Sequence, residues 1–89
     1  MQGSVTIGAV STVAVAANPS RTLLVLSNAS NENISISPSA AAVLNSGIVL
    51  KPLGPPLIID QKGPLSAFLH SPIFAICTSG QKALAYLEV

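Results

Sequence analysis

The chain has 89 residues, which corresponds to one domain near the lower size limit for a single hydrophobic core. Charged residues make up 8% of it and hydrophobic residues 49%, whereas about 25% of an average soluble domain is charged. A net charge of +1 with no cluster of Lys or Arg argues against nucleic-acid binding. Because four basic and three acidic side chains cannot cover a small domain, the composition favours a permanent assembly with other protein.

The first segment, residues 1–17, contains no charge and no Pro. In an extended chain its larger aliphatic residues would lie on one face; they are Val5, Ile7, Val13 and Val15. This alternation has the period of a β-strand. No Lys or Arg precedes Arg21, so a secretory signal is not expected, and no run reaches the roughly 18 apolar residues of a membrane span. An unguarded strand of this kind suits docking or exchange with another chain; pairing inside its own sheet is the alternative.

A predicted hairpin follows a turn at residues 18–20. Residues 21–28 are apolar enough for a strand buried on both faces, and an Asn/Ser loop leads to a returning strand at 34–37. Arg21 lies between the turn and the buried strand, so we expect a structural Arg tied to backbone carbonyls or to a carboxylate, that of Asp60 or Glu88. Asn28, where the loop begins, is expected to be structural as well.

The middle of the chain combines a helix-prone piece with a stiff loop. Residues 40–45 predict one helical turn at most, with Ser39 as its N-cap, and residues 47–51 predict a strand. Prolines then prevent regular backbone hydrogen bonding between strands over residues 52–56, which predicts a loop. We treat this loop and the residue after it as a second candidate contact region, represented by Leu53, Pro55, Pro56 and Leu57.

Short strands are predicted through the rest of the chain, at residues 57–60, 65–70, 73–78 and 82–89. Asp60 is expected to start the turn after the first of them. About eight strands with turns every 8–12 residues or so are typical of a β-sandwich or barrel. The sequence therefore predicts an all-β fold, a small antiparallel β-sandwich or barrel of the jelly-roll type, as a single domain over residues 1–89.

Side chains that could carry catalysis or bind a metal are few and scattered. The chain has one His, His70, and one Cys, Cys77. A copper site of two His and one Cys is therefore excluded, because the chain lacks a second His. Nothing local pairs two carboxylates, and no glycine-rich phosphate loop is present. We expect no catalytic residue, no metal ligand and no cofactor. His70 is expected at the surface, and Cys77, Phe68 and Phe74 in the core.

Several stretches resemble small virion proteins of tailed bacteriophages. They are the Asn-Pro-Ser-Arg turn at 18–21, the strand at 23–26 with Asn28 and Ser30 after it, the pair Ile34 and Ile36, the strand at 47–50 before a Pro/Gly loop, and the segment 73–76 before Ser79-Gly80 and a closing strand. The resemblance covers about residues 18–89.

This resemblance implies a compact β fold and a non-enzymatic role as a capsid cement or decoration protein, with a tail or head-fibre receptor-binding module as the alternative. The implied partners are the major capsid protein, further copies of the chain in a homo-oligomer such as a trimer, or both. No nucleic acid and no membrane are expected as partners. The implied location is the virion, after assembly in the host cytoplasm. Adhesion without catalysis would account for the low charge and the missing chemistry.

Overall fold

The protein is built from eight β-strands, seen in a computed structural model that describes residues 2–63 and 65–89. In chain order they are β1 (Gln2–Ile7), β2 (Thr12–Val15), β3 (Leu23–Asn28), β4 (Ile34–Pro38), β5 (Ile48–Leu50), β6 (Leu57–Asp60), β7 (Ile73–Cys77) and β8 (Lys82–Glu88). A 3-10 turn at Ser66–Phe68 lies between β6 and β7. Within these residues no helix is long and apolar enough to cross a membrane.

The strands form two four-stranded antiparallel sheets. The front sheet has the order β1-β8-β3-β6 and the back sheet the order β2-β7-β4-β5. Successive strands pass from one sheet to the other except at β4 and β5, which are neighbours in the back sheet. Two sheets of four strands with this order are the double Greek key of a jelly roll. The predicted all-β sandwich of the jelly-roll type is therefore confirmed.

The core lies between the two sheets and is almost entirely aliphatic. Every second residue of a strand points inward, so the alternation read from the sequence becomes one buried layer per sheet. The fully buried hydrophobic side chains are Ile7, Leu24, Leu26, Ile34, Ile73, Ala75, Cys77 and Leu84. The burial of Cys77 is as predicted; its thiol donates to the backbone oxygen of Ile7 at 3.3 Å.

One secondary-structure prediction is wrong. Residues 65–70 are not a strand, because Leu65 packs against the core and Leu69 is buried, which is the i, i+4 spacing of a helical turn. Residues 40–45, predicted to form one helical turn at most, form none, since Ser39 and Asn45 both have positive φ values (66° and 58°) and bend the chain instead.

Two burial predictions also fail. In β3 the inward residues Leu24 and Leu26 are buried, but the outward Leu23 and Val25 are only half-buried, so the strand is not buried on both faces. Phe68 and Phe74 lie outside the core. Phe68 is 36% exposed on the 3-10 turn, and Phe74 alternates with buried Ile73 and Ala75 and so faces outward from the back sheet.

Candidate interaction surface

The outer face of the front sheet, called the front face below, carries almost no charge. Its side chains alternate with the core residues along each strand. They are Gln2, Ser4 and Thr6 of β1, Ala83, Ala85 and Leu87 of β8, Leu23, Val25 and Ser27 of β3, and Ile58 and Asp60 of β6. Asp60 is the one ionisable side chain in this described set. Its carboxylate accepts the backbone N–H groups of Lys62 (3.1 Å) and Gly63, so it starts the following turn as predicted.

An apolar row crosses the front face from one strand to the next. Leu87 lies opposite Val25 in the β8–β3 pair, and Val25 lies opposite Ile58 in the β3–β6 pair. Ile58 is 54% exposed and Leu87 is 37% exposed. The row borders a shallow depression of about 150 Å³, lined by Val25, Ser27, Ala85, Tyr86 and Leu87. Since directly opposed side chains are in contact, the row is a continuous strip that a flat apolar partner could cover.

The outer face of the back sheet is partly covered by the chain itself. The loop at residues 39–47 is fixed at two points: the N–H of Ala42 donates to the hydroxyl of Ser11 (2.8 Å), and the N–H of Asn45 donates to the hydroxyl of Ser35 (2.9 Å). Ser35 and Ala42 are both buried as a result. The front face has no such cover among the described residues, so it is the more open of the two.

Two of the predicted contact residues belong to the core. Ile7 is fully buried and Val15 is 5% exposed, because each is the inward residue at the end of its strand. Val5 is half-buried and packs against the same core. The side chains of Ile7 and Val15 are therefore not available on the surface of this chain. The N-terminal segment pairs within the chain, β1 with β8 and β2 with β7.

The remaining predicted contact residues do not share one surface. Val13, 49% exposed, lies on the back sheet. Leu53, Pro55 and Pro56 are exposed in the loop that enters β6 of the front sheet, and Leu57 is half-buried and packs against the core. Sequence reasoning missed the row of Val25, Ile58 and Leu87. Its sequence signal was the run of consecutive apolar residues in β3, β6 and β8, which leaves apolar side chains on both faces of each strand.

Leu53 is unusual because it is both exposed and conformationally strained. Its side chain is 86% exposed, and its φ of 54° lies in the left-handed region, which costs roughly 1–2 kcal/mol for a residue with a Cβ. Its N–H donates to the backbone oxygen of Asn28 at 3.3 Å, at the rim of the front sheet. Leu53 thus combines a left-handed backbone with an apolar side chain in solvent at this rim.

Arg21 is a buried charged side chain that makes four hydrogen bonds. It is 1% exposed and donates to four acceptors: the backbone oxygens of Leu69, Ala16 (3.0 Å) and Ser71 (2.6 Å), and the Glu88 carboxylate (2.8 Å). Of the two carboxylates considered from the sequence, Glu88 is therefore the partner and Asp60 is not. The guanidinium joins three segments that are far apart in the sequence.

The same corner contains His70. Its side chain is exposed, as predicted, and Nε2 lies 3.1 Å from the backbone oxygen of Arg21, while the backbone oxygen of His70 accepts the N–H of Asn18 at 3.1 Å. These bonds close the turn before β3 onto the segment that precedes β7. His70 is thus part of the fold's scaffold, hydrogen-bonded to backbone groups of the preceding turn.

Asn28 closes the opposite end of β3. Its amide nitrogen donates to the backbone oxygens of Glu32 and Leu50, both at 2.7 Å. Its amide oxygen accepts the N–H (2.9 Å) and the hydroxyl (2.6 Å) of Ser30. The side chain is buried and uses both its donors and its acceptor, so it sets the β3–β4 loop and attaches β5 to it.

One exposed carboxylate has a shifted acidity. Glu32 accepts the backbone N–H of Ser79 (2.7 Å) and its hydroxyl (2.8 Å). These hydrogen bonds, with the nearby charge of Lys82, lower the pKa of Glu32 below its ordinary value of 4.5. The contact joins the β3–β4 loop to the β7–β8 loop.

The described residues contain no group of three His, Cys, Asp or Glu side chains that could hold a metal ion. A scan against protein-family models, a search of curated proteins and a search of solved structures each give no match. The features of the molecule that bear on its function are therefore those of the front face: its exposure, its near lack of charge and the apolar row across its strands.

Proposed function

We propose that the protein is a non-enzymatic structural protein of a virus particle, a cement or decoration protein that stabilises a phage head by covering neighbouring capsid subunits. The observation that carries the proposal is the apolar row of Val25, Ile58 and Leu87 on an open, nearly uncharged sheet face. Burying such a surface against protein is favourable by about 25 cal/mol per Å² of apolar area. The resemblance to small virion proteins supplies the kind of partner.

The proposal accounts for how the chain distributes its few charges. Arg21 and Glu88 form an ion pair inside the fold, and the carboxylate of Glu32 accepts a hydrogen bond from Ser79 in a loop contact. Asp60 caps its own turn at the corner of the front face. A surface whose one ionised group is already hydrogen-bonded at its corner can be buried with little of the desolvation that charges require, so the arrangement suits a contact that stays formed.

Co-sedimentation with phage heads that lack the protein tests the proposal. Val25→Lys places a charge at the centre of the front face, and we expect it to abolish binding. Val13→Lys makes the same change on the back sheet and serves as the matched control, which should bind as the wild type does. Binding by Val25→Lys, with loss of binding by Val13→Lys, would assign the contact to the back sheet and contradict the proposal.

A second candidate is a tail or head-fibre module that binds a receptor. A cleft of about 290 Å³ between β8 and the segment after β2 favours it, since Tyr86, Glu88 and Asn18 place a phenol, a carboxylate and an amide around the opening. Polar groups converging on a cleft are the usual means of fixing a small ligand. If this candidate is correct, the purified protein blocks phage adsorption to host cells, and Val25→Lys blocks it equally well.

A further inference from the structure

The two sheets have four edge strands, and three of them carry features that discourage pairing with another chain. β2 is broken by a register shift between Val13 and Val15. β5 has three residues and is followed by Lys51 and Pro52. β6 is preceded by two prolines and ends at Asp60.

The fourth edge, β1, has none of these features. Its six residues, Gln2–Ile7, pair with β8 in an unbroken register and contain no charge and no Pro. Four of them are exposed: Gln2, Gly3, Ser4 and Thr6. Among the edges of the described structure, β1 is therefore the one that remains open to pairing.

The hydrogen bonds of β8 show which groups of β1 are free. The N–H of Leu23 donates to the backbone oxygen of Val89 at 3.3 Å, and the N–H of Val89 donates back to the oxygen of Leu23 at 3.0 Å. Further along the same pair of strands, the N–H of Ala29 donates to the oxygen of Ala83 at 3.2 Å. Antiparallel strands alternate bonded and non-bonded pairs. The odd-numbered residues of β8 therefore bond to β3, and the even-numbered ones bond to β1.

The partners of those even-numbered residues on β1 are Gly3, Val5 and Ile7. The N–H and C=O groups of the alternate residues, Gln2, Ser4 and Thr6, consequently point away from the sheet. No other described residue hydrogen-bonds to them. Three unpaired donors and three unpaired acceptors thus stand in a row along the exposed side of β1.

We propose that β1 pairs with β1 of a second copy of this chain, antiparallel, about a two-fold axis through Ser4. In this register Ser4 lies opposite Ser4 of the second copy, and Gln2 lies opposite Thr6. Each of the three residues then exchanges both hydrogen bonds with its counterpart, so all the outward groups of both strands are satisfied. The two front sheets become one continuous eight-stranded sheet.

The side chains also fit this register. On the outer face Ser4 meets its own copy and Gln2 meets Thr6, all uncharged and able to hydrogen-bond across the pair. On the inner face Val5 lies opposite Gly3 of the second copy, so a large residue faces one without a side chain. Since the edge carries no charge, two copies approach without repulsion.

The inference rests on the proposed function in one respect, because it names a second copy of the chain as one partner of a protein proposed to assemble on a particle. It leaves the front face free: the pairing uses the backbone edge of β1, and the apolar row of Val25, Ile58 and Leu87 stays exposed on the joined sheet. Self-pairing and capsid docking therefore respond to different substitutions.

Sedimentation velocity of the purified chain tests the pairing. The wild type should sediment at twice the 9.0 kDa chain mass, and Ser4→Lys, which opposes two charges at the axis, should sediment at the chain mass with an unchanged circular dichroism spectrum. Ser27→Lys is the matched control. It lies in the same cross-strand row as Ser4, two strands inward on β3, and should stay dimeric. A monomeric wild type, a dimeric Ser4→Lys or a monomeric Ser27→Lys would each overturn the proposal, and none of them would decide the capsid contact.

Cysteine cross-linking tests the register. Paired Cα atoms in a hydrogen-bonded antiparallel pair are about 5.5 Å apart, within the roughly 4.4–6.8 Å of a disulfide. Ser4→Cys should therefore form a covalent dimer in oxidised glutathione. Thr6→Cys should not, because the two new thiols would lie four residues, or about 14 Å, apart along the pair. The wild type is the oxidation control, since Cys77 is buried. Equal cross-linking of both variants, or none by Ser4→Cys, would refute this register.

Discussion

Replacing Arg21 with Ala should destabilise the protein more than any other single change to a charged residue. The substitution leaves the Glu88 carboxylate, 14% exposed, without the guanidinium that lies 2.8 Å from it. It also leaves the backbone oxygens of Ala16, Leu69 and Ser71 without this donor. Breaking a buried ion pair by removing one partner costs about 3–5 kcal/mol, and we expect a loss in that range.

That loss is large relative to the total. At about 0.05–0.15 kcal/mol per residue, a chain of 89 residues has an unfolding free energy of roughly 4–13 kcal/mol. A shift of about 4–8 °C per kcal/mol for a domain of this size places the fall in Tm at roughly 12–40 °C. Arg21→Lys should lie between Arg21→Ala and the wild type, because an ammonium keeps the charge but cannot reach four acceptors in a planar fork.

Urea unfolding followed by far-ultraviolet circular dichroism measures these differences. Lys62→Ala, which removes an exposed charge from a turn, is the control and should stay within about 0.5 kcal/mol of the wild type. An Arg21→Ala protein that unfolds within about 1 kcal/mol of the wild type would refute the assignment of Arg21 as the joint between the three segments.

Three further predictions concern the loops. Asn28→Ala should lower the unfolding free energy by about 2–3 kcal/mol, since it leaves buried partners unpaired. The control, Asn33→Ala at an exposed position, should change it little, and equal effects of the two substitutions in denaturant titrations would contradict this prediction. Because the pKa of Glu32 is lowered in the folded state, its contribution to stability is complete above pH 4.5 and is lost as the pH falls through the folded pKa. Glu32→Gln should remove that part of the pH dependence of the unfolding free energy. An identical dependence of the unfolding free energy on pH for the two proteins would argue against this. Leu53→Asn should raise stability by about 1 kcal/mol by relieving the left-handed strain, yet weaken head binding; a lower Tm would show that Leu53 is kept for folding.

The sequence predicts the fold well because its short apolar runs are separated by clear turn residues. β3, β7 and β8 are runs of mostly consecutive apolar residues, and each of these strands is found within two residues of its predicted bounds. The prediction fails at residues 65–70, where the period-2 pattern of Leu65, Ala67 and Leu69 equally fits two leucines one helical turn apart. Local sequence cannot separate these options, and the packing of Leu69 decides between them.

The candidate contact surface was predictable only in part, for a topological reason. Period-2 patterns show that two faces exist, but they do not show which face meets the other sheet. Ile7 and Val15 lie on the inner side because the turn between β1 and β2 carries the chain from the front sheet to the back sheet. Val25, Ile58 and Leu87 come together only through the strand order β8-β3-β6, which a single sequence does not contain.

An electron cryomicroscopy map of the protein on a phage head tests the central claim most directly, since it shows which sheet meets the capsid. The account predicts that capsid subunits cover the apolar row of Val25, Ile58 and Leu87, with Leu53 at the margin of the contact and Val13 facing solvent. A map in which the back sheet at Val13 lies against the capsid and the apolar row faces solvent would contradict it.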